Sequence, residues 1–158
     1  MRVALVLPLS VAAAFCAGLA VSPWAHDMLP QARAQGSAAA PLVPAVVDVL
    51  AIKDADLNGA PNADIRSKPF VVTDNATISV QMGNVGKHYH AKSDEIQYIV
   101  EGTGTMWLGD KKVDIKPGTM LIIPKNTNHA GTEATTGRFK AIAIKIPPQA
   151  AGDTNFVP

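Results

Sequence analysis

Beyond residue 70 the apolar positions recur at every second residue, and that period predicts strands. Thr77 to Met82 places Ile78, Val80 and Met82 on one side and Thr77, Ser79 and Gln81 on the other. Phe70 to Thr73 is a short strand before it, with Asp74-Asn75 as the turn. Glu95 to Val100 is a further strand, ended by Gly102. Thr103 to Leu108 and Lys111 to Ile115 flank Gly109-Asp110 as a hairpin. Thr119 to Ile123 is an apolar strand between Pro117-Gly118 and Pro124. Arg138 to Ile146 is the last long strand, with Phe139, Ala141, Ala143 and Lys145 facing opposite to Lys140, Ile142, Ile144 and Ile146. No stretch after residue 53 carries a helical period. Short strands separated by Gly or Pro predict an all-β chain, an antiparallel barrel or sandwich.

The first residues have another character. Arg2 precedes Val3 to Val21, an uncharged run rich in Ala, Val and Leu, and Ala32-Arg33-Ala34 has the small residues of a signal-peptidase site. Residues 1–34 are therefore expected to be a signal peptide cut after Ala34, leaving a periplasmic or secreted protein without stable membrane association. An uncleaved anchor remains an alternative, because the run is nearly long enough to span a bilayer. Pro8 and Ser10 speak against it, and Phe15 before Cys16 speaks against lipid attachment. Gln35 to Pro44 is a flexible tether of Ala, Gly, Ser and Pro. Ala45 to Ile52 is an edge strand or a short helix, and Lys53 to Lys68 is loop. The division is thus 1–34 signal, 35–68 tether and extension, 69–147 barrel, and 148–158 tail.

Cleavage changes the composition. Cys16 is the one cysteine and leaves with the signal, so disulfide, thiolate-metal and cysteine-nucleophile chemistry leave with it. Of 14 Lys and Arg and 13 Asp and Glu, Arg2, Arg33 and Asp27 lie in residues 1–34, and the remainder is formally neutral. No basic cluster exists for nucleic acid to bind.

His26 also lies in the signal, which leaves His88, His90 and His129. His88 and His90 are two apart and share one face of a strand. Glu95 opens the next segment, close enough for a short bend to return its carboxylate to the imidazoles. His129 follows Pro124 on a later segment. Three imidazoles and one carboxylate suit Mn, Fe, Ni, Cu or Zn. A Ser/His/Asp hydrolase set has no histidine left to use.

The joint spacing resembles the cupin superfamily. Its first motif runs glycine, five residues, His-x-His, three or four residues, Glu, six residues, Gly. This chain has His88-Tyr89-His90, four residues, Glu95, six residues and Gly102, with Gly83 one residue late for the leading glycine, where Met82 stands. The second motif runs Gly, five residues, Pro-x-Gly, two residues, His, three residues, Asn. Here Gly118, five residues, Pro124-Lys125-Asn126, two residues and His129 match, while Asn126 replaces Gly and Glu133 replaces the final Asn. Asn126 can still take a left-handed turn. The likeness covers about Phe70 to Ile146, as in small single-domain bacterial cupins. It implies a double-stranded β-helix, or jelly-roll, barrel whose metal ligands are His88, His90, Glu95 and His129. It also implies a homodimer in which N-terminal residues such as Ala45 to Ile52 pack on the partner.

Strand parity extends the pocket. If Glu95 points inward, Gln97 and Ile99 do too, and Ile96, Tyr98 and Val100 face away. Gln97 then either hydrogen-bonds a ligand or is a polar residue at the barrel mouth. Trp107 shares its parity with Thr105, and Met106 with Leu108; the pattern does not say which pair faces the cavity, where Trp107 would form an apolar wall. Glu133 is a candidate base beside His129, and Arg138 a candidate carboxylate clamp. Four protein ligands leave roughly two open positions on a metal of octahedral preference. The expected function is a small metalloenzyme acting on a compact oxygen-rich substrate: oxygenase, decarboxylase, lyase or isomerase. The alternative is a periplasmic module that binds a small molecule or a metal without turnover.

Overall fold

The computed structural model describes residues 41–59 and 64–158. The expected signal segment, and residues 35–40 of the expected tether, lie outside them. Among the described residues nine strands follow one another: β1 (Asn58–Gly59), β2 (Ile65–Val72), β3 (Thr77–Gly83), β4 (His88–Tyr89), β5 (Asp94–Leu108), β6 (Lys111–Ile115), β7 (Met120–Ile123), β8 (His129–Ile146) and β9 (Asn155–Phe156). All pairings are antiparallel, in the order β1-β2-β3-β8-β4-β9, with β5 bonded to β6, β7 and β8. The result is an all-β curled sheet of the kind a jelly roll requires.

β8 is the hub. Its C-terminal half pairs with β3, from Met82↔Lys140 to Thr77↔Lys145, and with β5, from Glu101↔Lys140 to Asp94↔Ile146. Its first residue pairs with β4, His88↔His129. One strand therefore carries a histidine at one end and Lys145 at the other.

Several expectations are corrected by this register. Gly102 does not end a strand: β5 runs on through it, bending with register shifts between Ile99 and Trp107. Gly102 sits at φ 89°, and a Cβ there would come within 2.9 Å of the Arg138 carbonyl, so the bend needs a residue without one. The last long strand begins at His129 rather than Arg138. The segment expected as loop holds a 3-10 turn (Asp54–Asp56), β1 and the start of β2. β2 also contains Pro69 and is bulged between Pro69 and Val71, where a missing N–H is tolerated. The expected tail contributes β9, so the sheet reaches beyond residues 69–147 at both ends.

Two apolar clusters flank the sheet. Ile99, Met106, Ile115, Leu121, Ile123, Phe139 and Ala141 fill the barrel interior. Burying side chains of this size stabilises by about 2 kcal/mol each. Leu57, Val80 and Met82 form the second cluster, covered by Val49 and Ile52. Residues 45–52 are thus neither strand nor helix. They hold a turn and dock partly on β3 of their own chain. The apolar side of β3 accordingly faces these N-terminal residues, and its polar side, through Gln81, faces the barrel cavity.

Candidate metal centre

His88 and His90 flank Tyr89 in and beside β4, Glu95 lies near the start of β5, and His129 starts β8. All four are buried, with His129 wholly inaccessible. The structure brings them together. Ring centroids are 4.3 Å apart for His88–His129, 5.0 Å for His88–His90 and 5.2 Å for His90–His129. One potential ligand atom from each of the three histidines lies within 4.8 Å of those of the other two. Glu95 stands beside the cluster, its Oε2 3.0 Å from His90 Nε2 and 3.3 Å from His129 Nε2.

The outer ring nitrogens fix the orientation. Nδ1 of His88 donates to the Gly86 carbonyl at 2.8 Å, that of His90 to Asp153 at 2.8 Å, and that of His129 to Thr127 at 2.9 Å. A neutral imidazole with its proton on Nδ1 bears a lone pair on Nε2, and backbone carbonyls behind ligating histidines set this tautomer. Nε2 of His129 has no hydrogen-bond partner among the described residues although it is buried. Nε2 of His90 lies 3.0 Å from Oε2 of Glu95 and 3.1 Å from Nζ of Lys145. A buried, unpartnered Nε2 on His129 beside two further imidazoles and a carboxylate is a donor set that fits a divalent metal.

The second-motif turn braces the first motif. Asn126 adopts φ 64°, the left-handed turn its replacement of glycine required, and its N–H donates to the His90 carbonyl at 2.7 Å. Gln97 Nε2 donates to Glu95 Oε1 at 2.9 Å, which holds the carboxylate from its other oxygen.

Lys145 is the residue that the sequence reading did not single out. It is 8 % exposed, and its Nζ lies 3.1 Å from His90 Nε2 and 3.7 Å from Glu95 Oε2. It also donates to Gln149 Oε1, whose Nε2 donates to Thr154 Oγ1 at 2.6 Å. A signal existed: the alternation already put Lys145 on one face with Phe139, Ala141 and Ala143.

Electrostatics follow from burial and these contacts. Burial lowers His88 to about 4, against the upward pull of the Gly86 carbonyl. Burial alone would raise Glu95, but its contacts with His129, His90 and Lys145 hold it well below the usual carboxylate range. Burial lowers Lys145, and the Glu95 and Asp153 carboxylates draw it partly back.

The site opens on a cavity of about 550 Å³ whose walls include Gln81, Gln97, Lys145, Gln149, Thr154 and Phe156. The segment after β8 forms one wall. β9 pairs with β4, Phe156 stands 5.6 Å from the His88 ring, and the Asp153 carboxylate accepts the N–H groups of Ala91 and Lys92 at 2.9 and 3.1 Å.

Of the other candidates, only Gln97 lines this cavity. Met106 takes the interior of β5, so Trp107 faces out, with Lys87 Nζ 4.6 Å from its ring centre. Lys87 is likewise spent on that ring. Glu133 is 68 % exposed and paired with Lys112 at 2.7 Å, too far out to serve as a base. Arg138 clamps carboxylates of its own chain, Asp54 at 3.3 Å and Asp64 at 3.0 Å, rather than a ligand.

Comparison with known proteins agrees with this architecture. Residues 77–145 match the family model described as Cupin domain. The chain is 34% identical over 70 residues to an uncharacterized protein of Methanocaldococcus jannaschii, covering 44% of this chain and 56% of that one. It is 40% identical over 43 residues to quercetin 2,3-dioxygenase of Bacillus subtilis, covering 27% of this chain and 13% of that one. The match thus spans little more than half of one relative and a small part of the other. Among solved structures, a double-stranded β-helix protein from Klebsiella pneumoniae aligns with a TM-score of 0.56 at 14% identity, covering 73% of this chain and 100% of that one. Ectoine synthase from P. lautus aligns at 0.55 and 16%, covering 73% and 91%. These likenesses concern the fold alone. Both histidine motifs lie inside residues 77–145, the stretch of the chain that matches the Cupin domain.

Proposed function

We propose that this cupin is a metal-dependent enzyme acting on a small oxygen-rich molecule, with His88, His90, Glu95 and His129 as the ligands of one divalent transition metal. One observation carries the reading: three buried imidazoles, each held at Nδ1 by a carbonyl, bring a ligand atom apiece within 4.8 Å of one another, and His88, His90 and Glu95 line a cavity. A bound metal would supply Lewis acidity and open positions for oxygen ligands. Gln97 holds Glu95, and Gln149, Thr154 and Phe156 wall the cavity on one side. The local likeness to quercetin 2,3-dioxygenase supports trying oxygen-dependent chemistry first.

The test is metal content by plasma mass spectrometry for the purified protein and for His88→Ala and Glu95→Gln. Equal content in all three would sink the ligand set. A turnover screen of Mn-, Fe-, Ni- and Cu-loaded protein against diols, diketones and dicarboxylates then addresses the reaction. A non-catalytic binding module is the second reading, favoured by Gln97 where an acid–base group would be expected. Absence of turnover with every metal would support it.

Export and self-association complete the proposal. The apolar run Val3 to Val21 with Ala32-Arg33-Ala34 supports delivery to the periplasm or outside the cell. A homodimer is supported by the outward face of β5, β7 and β8, where Tyr98, Met120, Ile122 and Ile146 are exposed, and by exposed Leu42, Val43 and Val46. Sedimentation of the mature chain tests the second point, and N-terminal sequencing of the exported protein the first.

A further inference from the structure

We propose that Lys145 makes the cavity an anion site, in which a small hydroxy- or oxo-carboxylate is held between the metal and the Lys145 ammonium. The inference rests on the metal-site reading above and names the substrate class it left open. Among the described residues lining the cavity, only Glu95 and Lys145 carry charge. Glu95 is occupied by the histidines and Gln97. A divalent metal added to one carboxylate and one ammonium leaves the wall net positive, which favours an anion.

The donor count points the same way. An ammonium has three N–H groups. Lys145 gives one to His90 Nε2 and one to Gln149 Oε1, and Glu95 at 3.7 Å is beyond hydrogen-bond reach. A third N–H has no partner among the described residues. His90 Nε2 also stops accepting once its lone pair is given to a metal. A bound metal would therefore leave a buried ammonium short of acceptors in the cavity wall. A carboxylate satisfies both, one oxygen on the metal and one on Lys145. The neutral groups around it, Gln81, Gln149 and Thr154, suit hydroxyl or carbonyl oxygens rather than a second charge.

Glycolate and ethylene glycol differ only by the carboxylate, and they make the test. Cobalt-loaded wild-type protein, Lys145→Met and Lys145→Arg are titrated with each, followed by the cobalt visible spectrum and calorimetry, with metal content and melting temperature recorded. The wild type should bind glycolate at least ~10-fold more tightly than ethylene glycol. Lys145→Met should lose ~10- to 100-fold for glycolate and little for the glycol, and Lys145→Arg should recover part of the loss. Should Lys145→Met fail to fold or to hold cobalt, Lys145→Gln takes its place with the same expectation. A lysine-free variant that holds cobalt and binds glycolate as well as wild type overturns this inference alone. A wild-type protein that takes up no cobalt overturns the metal-site reading and this one with it.

Discussion

Nδ1 of His90 donates to the main-chain carbonyl of Asp153 at 2.8 Å, although 63 residues separate them. The same residue's carboxylate holds the N–H groups of Ala91 and Lys92, so it grips the first motif at the imidazole and at the loop behind it. Asp153 is 4 % exposed. Asp153→Ala keeps the carbonyl but removes the grip. It should cost about 1–3 kcal/mol of stability by leaving N–H groups unpaired, and weaken metal binding by ~10-fold through looser placement of His90. Asp153→Asn, which keeps one acceptor, should lose less of both. Chemical denaturation and a chelator competition measure the pair.

Acid should destabilise the metal-free protein in two stages. His88 has its folded value lowered from 6.5 to about 4, so in that window the unfolded chain takes up a proton that the folded chain refuses. Stability is therefore full above the unfolded value and falls with pH, by about 3 kcal/mol in total. Glu95, held well below 4.5, adds a further loss under that value for the same reason. Denaturant midpoints at about pH 8, 5.5 and 4 should fall in that order. In His88→Leu the first stage should vanish. Bound metal should leave over the same acid range, as protons compete for Nε2.

Lys140 is a second buried ammonium, 2 % exposed, bonded to Glu101 at 2.7 Å and to the Leu50 carbonyl at 3.2 Å. Removing its partner and removing the lysine should differ in outcome. Glu101→Leu leaves the charge buried without its carboxylate and should cost about 2–3 kcal/mol, tempered by the half-exposure of Glu101. Lys140→Met should stay within about 1 kcal/mol of wild type, because it withdraws the charge itself. Thermal melts of both variants decide the point, and similar losses would contradict it.

Gly83 stands at φ 129°, where an added Cβ would meet the Asp64 carbonyl at 1.9 Å and Arg138 Nη2 at 2.7 Å. That carbonyl already accepts the Asn84 N–H at 3.0 Å, so it cannot move away freely. Gly83→Ala should lower stability by more than ~3 kcal/mol, combining backbone strain with a backbone clash. Circular dichroism melts measure the loss.

The alternation of β3 and of the C-terminal half of β8 was readable because each strand separates a dry face from a wetter one. Parity correctly turned Glu95, Gln97 and Ile99 inward. It could not say which face of β3 looked into the barrel, because both faces are covered: Val80 and Met82 by Leu57, and Gln81 by the cavity wall. Gly102 was read as a stop because a residue pattern does not reveal that a bulge absorbs it. The four residues around the centre were legible as spacing. Asp153 was not, since it lies far beyond Glu95 in the chain and carries no motif, and for Lys145 the alternation gave its face but not its neighbours. Only the register of β8 on β5, Glu95↔Lys145, brings the lysine in.

The wall formed by residues 149–157 joins the rest of the fold through the two-residue β9, the Asp153 bonds and Gln149, so it can open locally while the barrel stays closed. Any metal held at the centre would then exchange through that local opening, without unfolding of the sheet.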